Sequence, residues 1–227
     1  MGRLPRRLLR HHLPLGLATC VSALLLYRTQ VSSDIIQRLS FASAYPALVL
    51  ISVTLLIGPF KLITQKRLPV SIDLRRDIGI WAGMSGVFHA VVGQCVHLRW
   101  RPWLYYVFEN WRQEHFLPIR YDVFGLANYT GLAAVCILLL LLATSNDMSL
   151  RKFKTTGWKK LQRWNYGCFA LSGVHTFLYQ EGVEHQKLPF VITAIAVVAL
   201  TAVIQWQGVR LRARSQAAEG QYILGEP

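Results

Sequence analysis

Acidic residues are scarce in this 227-residue sequence, which has 11 Asp and Glu against 25 Lys and Arg and a formal net charge of +14. None of the acidic residues lies well inside a long apolar run. A proton-relaying transporter usually places a carboxylate there, so this class is disfavoured, although a relaying histidine pair remains an alternative. The positive charge would suit a nucleic-acid partner only if it were gathered on one face.

Cysteine is also rare, and no two cysteines are close in sequence. Each falls inside an apolar run without a C-x-x-C spacing, which argues against a disulfide framework or a zinc site. The glycine-rich turn of a dinucleotide-binding fold is missing as well. Electrons from a nicotinamide or a flavin would therefore come from another polypeptide. The cysteines are Cys20, Cys95, Cys136 and Cys168.

Apolar residues are abundant and make up 53% of the chain, while charged residues make up 16%. The mean hydropathy of +0.32 is that of a membrane protein. A bilayer core about 30 Å thick needs about 20 mostly apolar residues per helix, and six segments approach that length. They predict an all-α, polytopic bundle of six transmembrane helices. The predicted spans are residues 13–27, 45–63, 78–98, 123–143, 161–179 and 188–206.

The Lys and Arg residues lie mainly between these spans. If both termini are cytoplasmic, the inner segments carry more than twice as many basic residues as the outer ones, which fits the positive-inside rule. We therefore expect a multi-pass membrane protein and no nucleic-acid partner. Residues 1–12 are predicted as a basic N-terminal tail, residues 13–207 as the membrane domain and residues 208–227 as a short C-terminal tail.

Two connections between the predicted spans are rich in aromatic or basic residues. The outer connection RWRPWLYYVFENWRQEHFLPIRY, residues 99–121, mixes aromatic and charged residues. It is expected to lie along the membrane surface, with a docking surface for a partner as the alternative. The inner connection SNDMSLRKFKTTGWKKLQRW, residues 145–164, is basic and could attract anionic lipid or an acidic soluble partner.

Three of the seven histidines fall within predicted spans, His89 and His97 on the third and His175 on the fifth. An ionisable group inside a bilayer is costly and is a functional-site hypothesis, although a histidine can also simply bridge helices. The two spans run in the same direction, and at about 1.5 Å per residue His175 falls between the other two in depth. The remaining histidines, His11, His12, His115 and His185, are expected to be solvated.

Two neutral imidazoles that face one another across a bundle are most simply the ligands of a six-coordinate haem iron. Small residues on both spans would leave room for the porphyrin or serve close helix packing. A zinc or copper site would need further ligands at this depth, and none is obvious. The small residues are Gly79, Gly83, Gly86, Gly93, Gly167 and Gly173. Thr176, Ser172 and Gln94 could orient the ring nitrogens.

The sequence LRRDIGIWAGMSGVFHA, residues 74–90, resembles the basic-pair, Gly, then His pattern of the third helix in ferric reductase-like transmembrane domains. The run from GLANYTGL through ATS and W..L.R..Y to GVHTFLYQ resembles the fourth and fifth helices of that family. The resemblance covers about residues 74–180. Within the family, the sequence is similar to the haem-binding membrane subunits of periplasmic methionine sulfoxide reductase systems.

The resemblance implies haem b held by histidines of the third and fifth helices. By position, His89 matches the third-helix ligand and His175 the later fifth-helix ligand. Gln162 stands where family members commonly have a further histidine, and glutamine is a poor haem ligand, so the number of haems is open. His97 has no counterpart and is an alternative ligand to His89 or a contact for a haem propionate.

The resemblance also implies a function in electron transfer across the membrane. A cytoplasmic flavin or quinol would be the donor, and a soluble periplasmic oxidoreductase and a cytoplasmic flavin reductase are the expected partners. Arg75, Arg76 and Arg163, at the inner helix ends, could pair with haem propionates or with the phosphates of a partner's flavin, or could serve only as positive-inside anchors. A haem-free membrane scaffold is the alternative function, besides the transporter.

Overall fold

The computed structural model describes residues 3–64, 72–98, 101–184 and 187–224. The ordered elements within these ranges are helices, and the extended contacts there amount to one isolated bridge between Val107 and Ile119. The helices are α1 (Arg3–Arg7), α2 (Leu13–Thr29), α3 (Ile35–Ile63), α4 (Ile72–Gly93), α5 (Trp111–Glu114), α6 (Val123–Ala143), α7 (Asp147–Gln162), α8 (Trp164–Gly182) and α9 (Leu188–Leu224).

Four helical stretches in the described part of the chain are long and apolar enough to cross a membrane. They correspond to the first, second, fourth and sixth predicted spans, which confirms an all-helical protein with several candidate membrane helices. The fourth span agrees with α6 at both ends. At its N-terminal end the Asp122 side chain accepts a hydrogen bond from the Gly125 N–H and caps the helix. The four stretches are Pro5–Thr29, Ile35–Ile63, Val123–Ala143 and Leu188–Ala217.

The third and fifth predicted spans correspond to α4 and α8, which are less apolar than the other four. α4 packs on α3 and α6, and α8 packs on α6 and α9, so both helices face protein on much of their surface. α4 begins at Ile72, six residues before the predicted span, and its first turns are charged. Arg76 is buried there and pairs with Asp73 and with Asp147 at the start of α7.

His97 does not lie on a helix, contrary to the predicted span 78–98, because α4 ends at Gly93. In a continuing helix the His97 N–H would bond to the Gly93 carbonyl. The hydroxyl of the fully buried Tyr105 lies between these two groups instead. It accepts from the His97 N–H at 2.9 Å and donates to the Gly93 carbonyl at 3.1 Å. A side chain from the following connection therefore ends the helix.

The predicted N-terminal tail is helical from Arg3 and continues into α2 through a π-helical turn, Leu8–His12. His11 Nδ1 lies 2.8 Å and His12 Nε2 3.3 Å from the Asp77 carboxylate of α4, which also accepts from the Arg7 guanidinium. Asp77 is wholly buried. The expectation that both histidines are solvated is therefore wrong.

Two segments that were predicted to lie outside the spans, the basic inner connection and the C-terminal tail, contain helices. α7 covers the basic inner connection, with Lys154 in the left-handed region at φ 53° and the buried Trp158 donating to the Thr144 carbonyl at 3.0 Å. α8 begins at Trp164, three residues after the predicted start. α9 continues to Leu224, so the predicted C-terminal tail is helical through most of its length.

The outer connection folds onto the end of the bundle. The Arg120 guanidinium donates to the Asp122 carboxylate and lies over the rings of Phe108 and Phe124, at 4.9 and 4.8 Å from their centres. Burial raises the pKa of the Asp122 carboxyl, but hydrogen bonds from Arg120 and the backbone outweigh burial and leave that pKa below its ordinary value. An ordered cap therefore closes this end of the bundle.

Candidate functional site

A cavity of about 230 Å³ lies between α3, α4, α6 and α8. The bundle end at which α4 and α8 terminate is called the outer end here, following the orientation expected from the sequence. His89, His97 and His175 all line the cavity. The structure therefore brings the three predicted histidines to one internal space.

The rings of His89 and His175 face one another in this cavity, with their centres 6.1 Å apart and their planes at 73°. His89 Nδ1 lies 2.9 Å from the Ser40 carbonyl of α3, and His175 Nδ1 lies 2.7 Å from the Ala127 carbonyl of α6. A carbonyl only accepts hydrogen bonds, so both Nδ1 atoms carry the hydrogen. Each Nε2 then keeps a free lone pair, and neither has a partner among the described residues.

The spacing of the two rings fits a shared metal ion. A metal–imidazole bond of about 2 Å and a ring radius of about 1.2 Å place two opposed imidazole centres about 6.4 Å apart, close to the observed separation. Ligating histidines commonly donate their other N–H to a backbone carbonyl, as both rings do here. No group of three or more His, Cys, Asp or Glu side chains that could hold a bare ion occurs in the part of the chain described. An ion held by this pair would take its other ligands from a bound group, as a haem iron takes four from its porphyrin.

Glycines in the bundle allow the helices around the histidine pair to pack closely. A Cβ atom on Gly131 of α6 would lie 2.7 Å from His175 Nδ1, so this position admits only glycine beside the ring. Gly86 of α4 allows equally close packing against Leu138 of α6. Gly131 was not among the predicted glycines, which all lie on the two spans that carry the histidines. Of the predicted glycines, Gly86 and Gly93 line the cavity.

His97 lies apart from the other two rings, at the outer end of the cavity. Its Nε2 is 2.9 Å from a carboxylate oxygen of Glu184, and the Gln37 side chain donates to the other oxygen at 2.9 Å. The His97 ring stacks on Tyr179, whose ring lies 5.0 Å from that of His175. The His97 hydrogen bond holds the pKa of the Glu184 carboxyl below its ordinary value, against the effect of burial.

None of the three predicted arginines lines the cavity. Arg76 is engaged with Asp73 and Asp147, and Arg75 is exposed. At about 1.5 Å per residue, Arg76 lies about 20 Å from His89 along α4. Arg163 is at the junction of α7 and α8. The structure therefore does not bring these arginines to the histidine pair.

Gln162, at the family histidine position, is the last residue of α7 and does not line the cavity. Its side-chain nitrogen is buried without a hydrogen-bond partner in the described part of the chain. Thr176, Ser172 and Gln94 do line the cavity, but backbone carbonyls, not these side chains, hold the two Nδ1 atoms. The orienting groups are therefore main-chain atoms of the neighbouring helices.

No protein-family model, curated protein or solved structure matches the chain. The resemblance to ferric reductase-like domains accordingly stays a prediction. The residues of the cavity and their geometry carry the functional conclusion.

Proposed function

We propose that the protein binds one b-type haem between His89 and His175. The observation that carries this proposal is the histidine pair itself: two imidazoles from different helices face each other 6.1 Å apart, each held through Nδ1 by a backbone carbonyl. The Nε2 lone pair of each ring therefore stays available to bind an ion between the two rings. Three histidines line the cavity, and only this pair is in mutual ring contact.

The chain's own contribution is orientation and exclusion of water. The carbonyls of Ser40 and Ala127 fix the tautomer and the direction of each ring, so that little reorganisation is needed when the oxidation state changes. The apolar inner wall of the cavity provides a low-dielectric environment, which sets the reduction potential together with the two ligands. Bound haem would supply the one-electron chemistry.

We further propose a six-span protein of a bacterial inner membrane, with both termini in the cytoplasm. The four apolar helices support this arrangement, and α4 and α8 can complete it because neighbouring helices cover much of their surface. The excess of basic residues on the proposed inner side agrees with it. The haem would carry electrons from a cytoplasmic flavin or quinol donor to an acceptor at the outer face, as in ferric reductase-like proteins.

A haem-free membrane scaffold is the second candidate function, and one observation favours it. His89 and His175 each hydrogen-bond to a carbonyl of a neighbouring helix, as purely structural histidines do. A structural bridge, however, uses only Nδ1 and does not account for two free Nε2 atoms at a shared cavity. The transporter alternative would rest on the His97–Glu184 pair and predicts pH-dependent uptake of a solute.

The visible spectrum of the full chain, purified in detergent, tests the proposal. We expect b-type bands in the reduced-minus-oxidised spectrum and one haem per chain by pyridine extraction. His175→Ala should abolish haem incorporation and His89→Ala should severely reduce it, because each removes an iron ligand. His115→Ala is the matched control, since His115 lies in the outer connection and does not line the cavity.

Two results would contradict the proposal. If wild-type protein contains no haem after expression in the presence of excess haem, the scaffold function is favoured. Full haem content in the His89 variant, together with loss in a His97→Ala variant, would transfer the ligand role from His89 to His97.

A further inference from the structure

The charged and amide side chains of the cavity wall lie on one side of the histidine pair. Inward of the pair the wall is apolar apart from the Ser172 hydroxyl and the Cys168 thiol, while every amide and carboxylate of the wall lies level with the pair or outward of it. A ligand that fills this cavity should be amphipathic, because an ionised group directed inward would be buried without a charged or amide partner. The inward wall includes Leu48, Ile51, Gly86, Ala134, Leu138 and Cys168; the outward wall includes Gln37, Gln94, His97, Tyr106 and Glu184.

His97 is the one histidine of the cavity wall with a carboxylate partner among the described residues. Its Nε2 is taken by Glu184 and its backbone N–H by the Tyr105 hydroxyl, but its Nδ1 has no partner in the described part of the chain. A histidine ring held between two carboxylates donates to both, one through each ring nitrogen. With its Nε2 on Glu184, His97 is placed to donate from Nδ1 to a carboxylate in the cavity.

Glu184 is already satisfied by protein partners. One of its oxygens faces His97 and the other accepts from Gln37, whose own amide oxygen accepts from Ser32 at 2.6 Å. The residues involved come from the start of α3 and from the turns that follow α4 and α8. This three-way contact holds the His97 ring against Tyr179, one aromatic ring away from His175.

We propose that the outer end of the cavity is a carboxylate subsite, in which the Nδ1–H of His97 donates to a haem propionate. This inference rests on the proposed function and fixes the orientation of the haem, with its propionate edge toward the outer end and its apolar edge inward. His97 is a positioning residue in this arrangement. The opposite orientation would place both propionates against the inner wall, where the described lining offers one hydroxyl, that of Ser172, and no amide or charged side chain.

The test compares two probes, haem b and haem b whose propionates are methyl esters, each titrated into the full chain produced without haem. The measure is the ratio of the two affinities. Because partitioning of the probes into detergent is common to all variants, the change of this ratio between variants reports the protein's contact with the carboxylates. We expect the ratio to fall about tenfold in His97→Leu, the loss of one charge-assisted hydrogen bond, with little change in affinity for the ester. In the control His115→Leu the wild-type ratio should be retained.

The outcomes separate this inference from the proposed function. An unchanged ratio in His97→Leu, with both probes giving a bis-histidine spectrum, overturns the carboxylate subsite and leaves the haem site standing. Failure of wild-type protein to bind either probe overturns both proposals. If His97→Leu binds neither probe, Glu184→Gln decides, because it keeps the shape of the contact and removes the carboxylate that holds Nε2 of His97. A ratio lowered by several-fold supports the subsite, and a wild-type ratio overturns it.

Discussion

Histidines contact a carboxylate at both ends of this bundle, but only one of the two clusters lines the cavity that holds the histidine pair. Near the start of α4, Arg7, His11 and His12 converge on the buried Asp77, and none of these four residues lines the cavity. At the outer end, His97 meets Glu184 and lines the cavity with one ring nitrogen unengaged. Contact with a carboxylate is common to both clusters, so such a contact alone does not identify a functional histidine. The feature that distinguishes His97 is a ring nitrogen without a partner among the described residues, on a side chain that lines the cavity.

The first way to break this comparison is Asp77→Ala. If the cluster around Asp77 only docks the N-terminal helix, its loss should destabilise the protein by about 3–5 kcal/mol, the usual effect of removing one partner of a buried ion pair. Haem content per folded molecule should not change. Thermal unfolding in detergent and pyridine extraction measure the two quantities. Lost haem in a folded Asp77 variant would mean that the two ends of the bundle are coupled.

The second prediction concerns the orientation of the His175 ring. Gly131→Ala places a methyl group 2.7 Å from His175 Nδ1, so the ring must turn away from the Ala127 carbonyl. We expect at least a roughly tenfold loss of haem affinity, because a misoriented imidazole is a poorer ligand. Gly79→Ala is the matched control, since an added Cβ atom there meets nothing within 4 Å. Equal haem affinity in both variants would show that His175 does not need its present orientation.

The contrast between the two clusters also shows what could be read from the sequence. His89 and His175 were identified because ionisable residues are rare inside apolar spans, and the bounds of α6 because its apolar run has the length that a bilayer requires. The hydrogen-bond partners of the two rings could not be predicted from the sequence. They are the backbone carbonyls of Ser40 and Ala127, and every residue type has such a carbonyl.

Contacts distant in sequence account for the errors. His97 was placed on a helix because the apolar run continues past Gly93, and only the fold brings the Tyr105 hydroxyl to that point. In the same way, the basic composition of residues 1–12 predicted a solvated tail. The tail is docked because Asp77, seventy residues from Arg7, is buried beneath it.

A third prediction sharpens the comparison through pH. Because contact with His97 keeps the pKa of Glu184 lower in the folded than in the unfolded state, the carboxylate stabilises the fold above its unfolded pKa. That stabilisation is lost as the pH falls through the lower, folded-state value. The difference in thermal midpoint between wild type and Glu184→Gln should therefore be constant from pH 7 to about pH 5 and shrink in stronger acid.

The control for that prediction is Glu109→Gln. Glu109 is exposed and pairs with Arg101 in the outer connection, and such surface pairs contribute little to stability. Its thermal midpoint should stay close to that of wild type at each pH. A Glu184 variant with the same behaviour as Glu109→Gln would show that the contact with His97 is of the surface kind.

The smallest expected effect belongs to Tyr105→Phe, which removes the hydroxyl between the Gly93 carbonyl and the His97 N–H. We expect a loss of about 1 kcal/mol, because α4 can extend by one turn and let the His97 N–H bond directly to the Gly93 carbonyl. That extension would move the His97 ring, so the preference for free-acid over esterified haem should fall while the affinity for the ester stays unchanged. Tyr121→Phe, at an exposed tyrosine of the same connection, should leave both quantities at their wild-type values. A Tyr105 variant that loses stability but keeps the full preference would show that the position of His97 is set by Glu184 and Tyr179 alone.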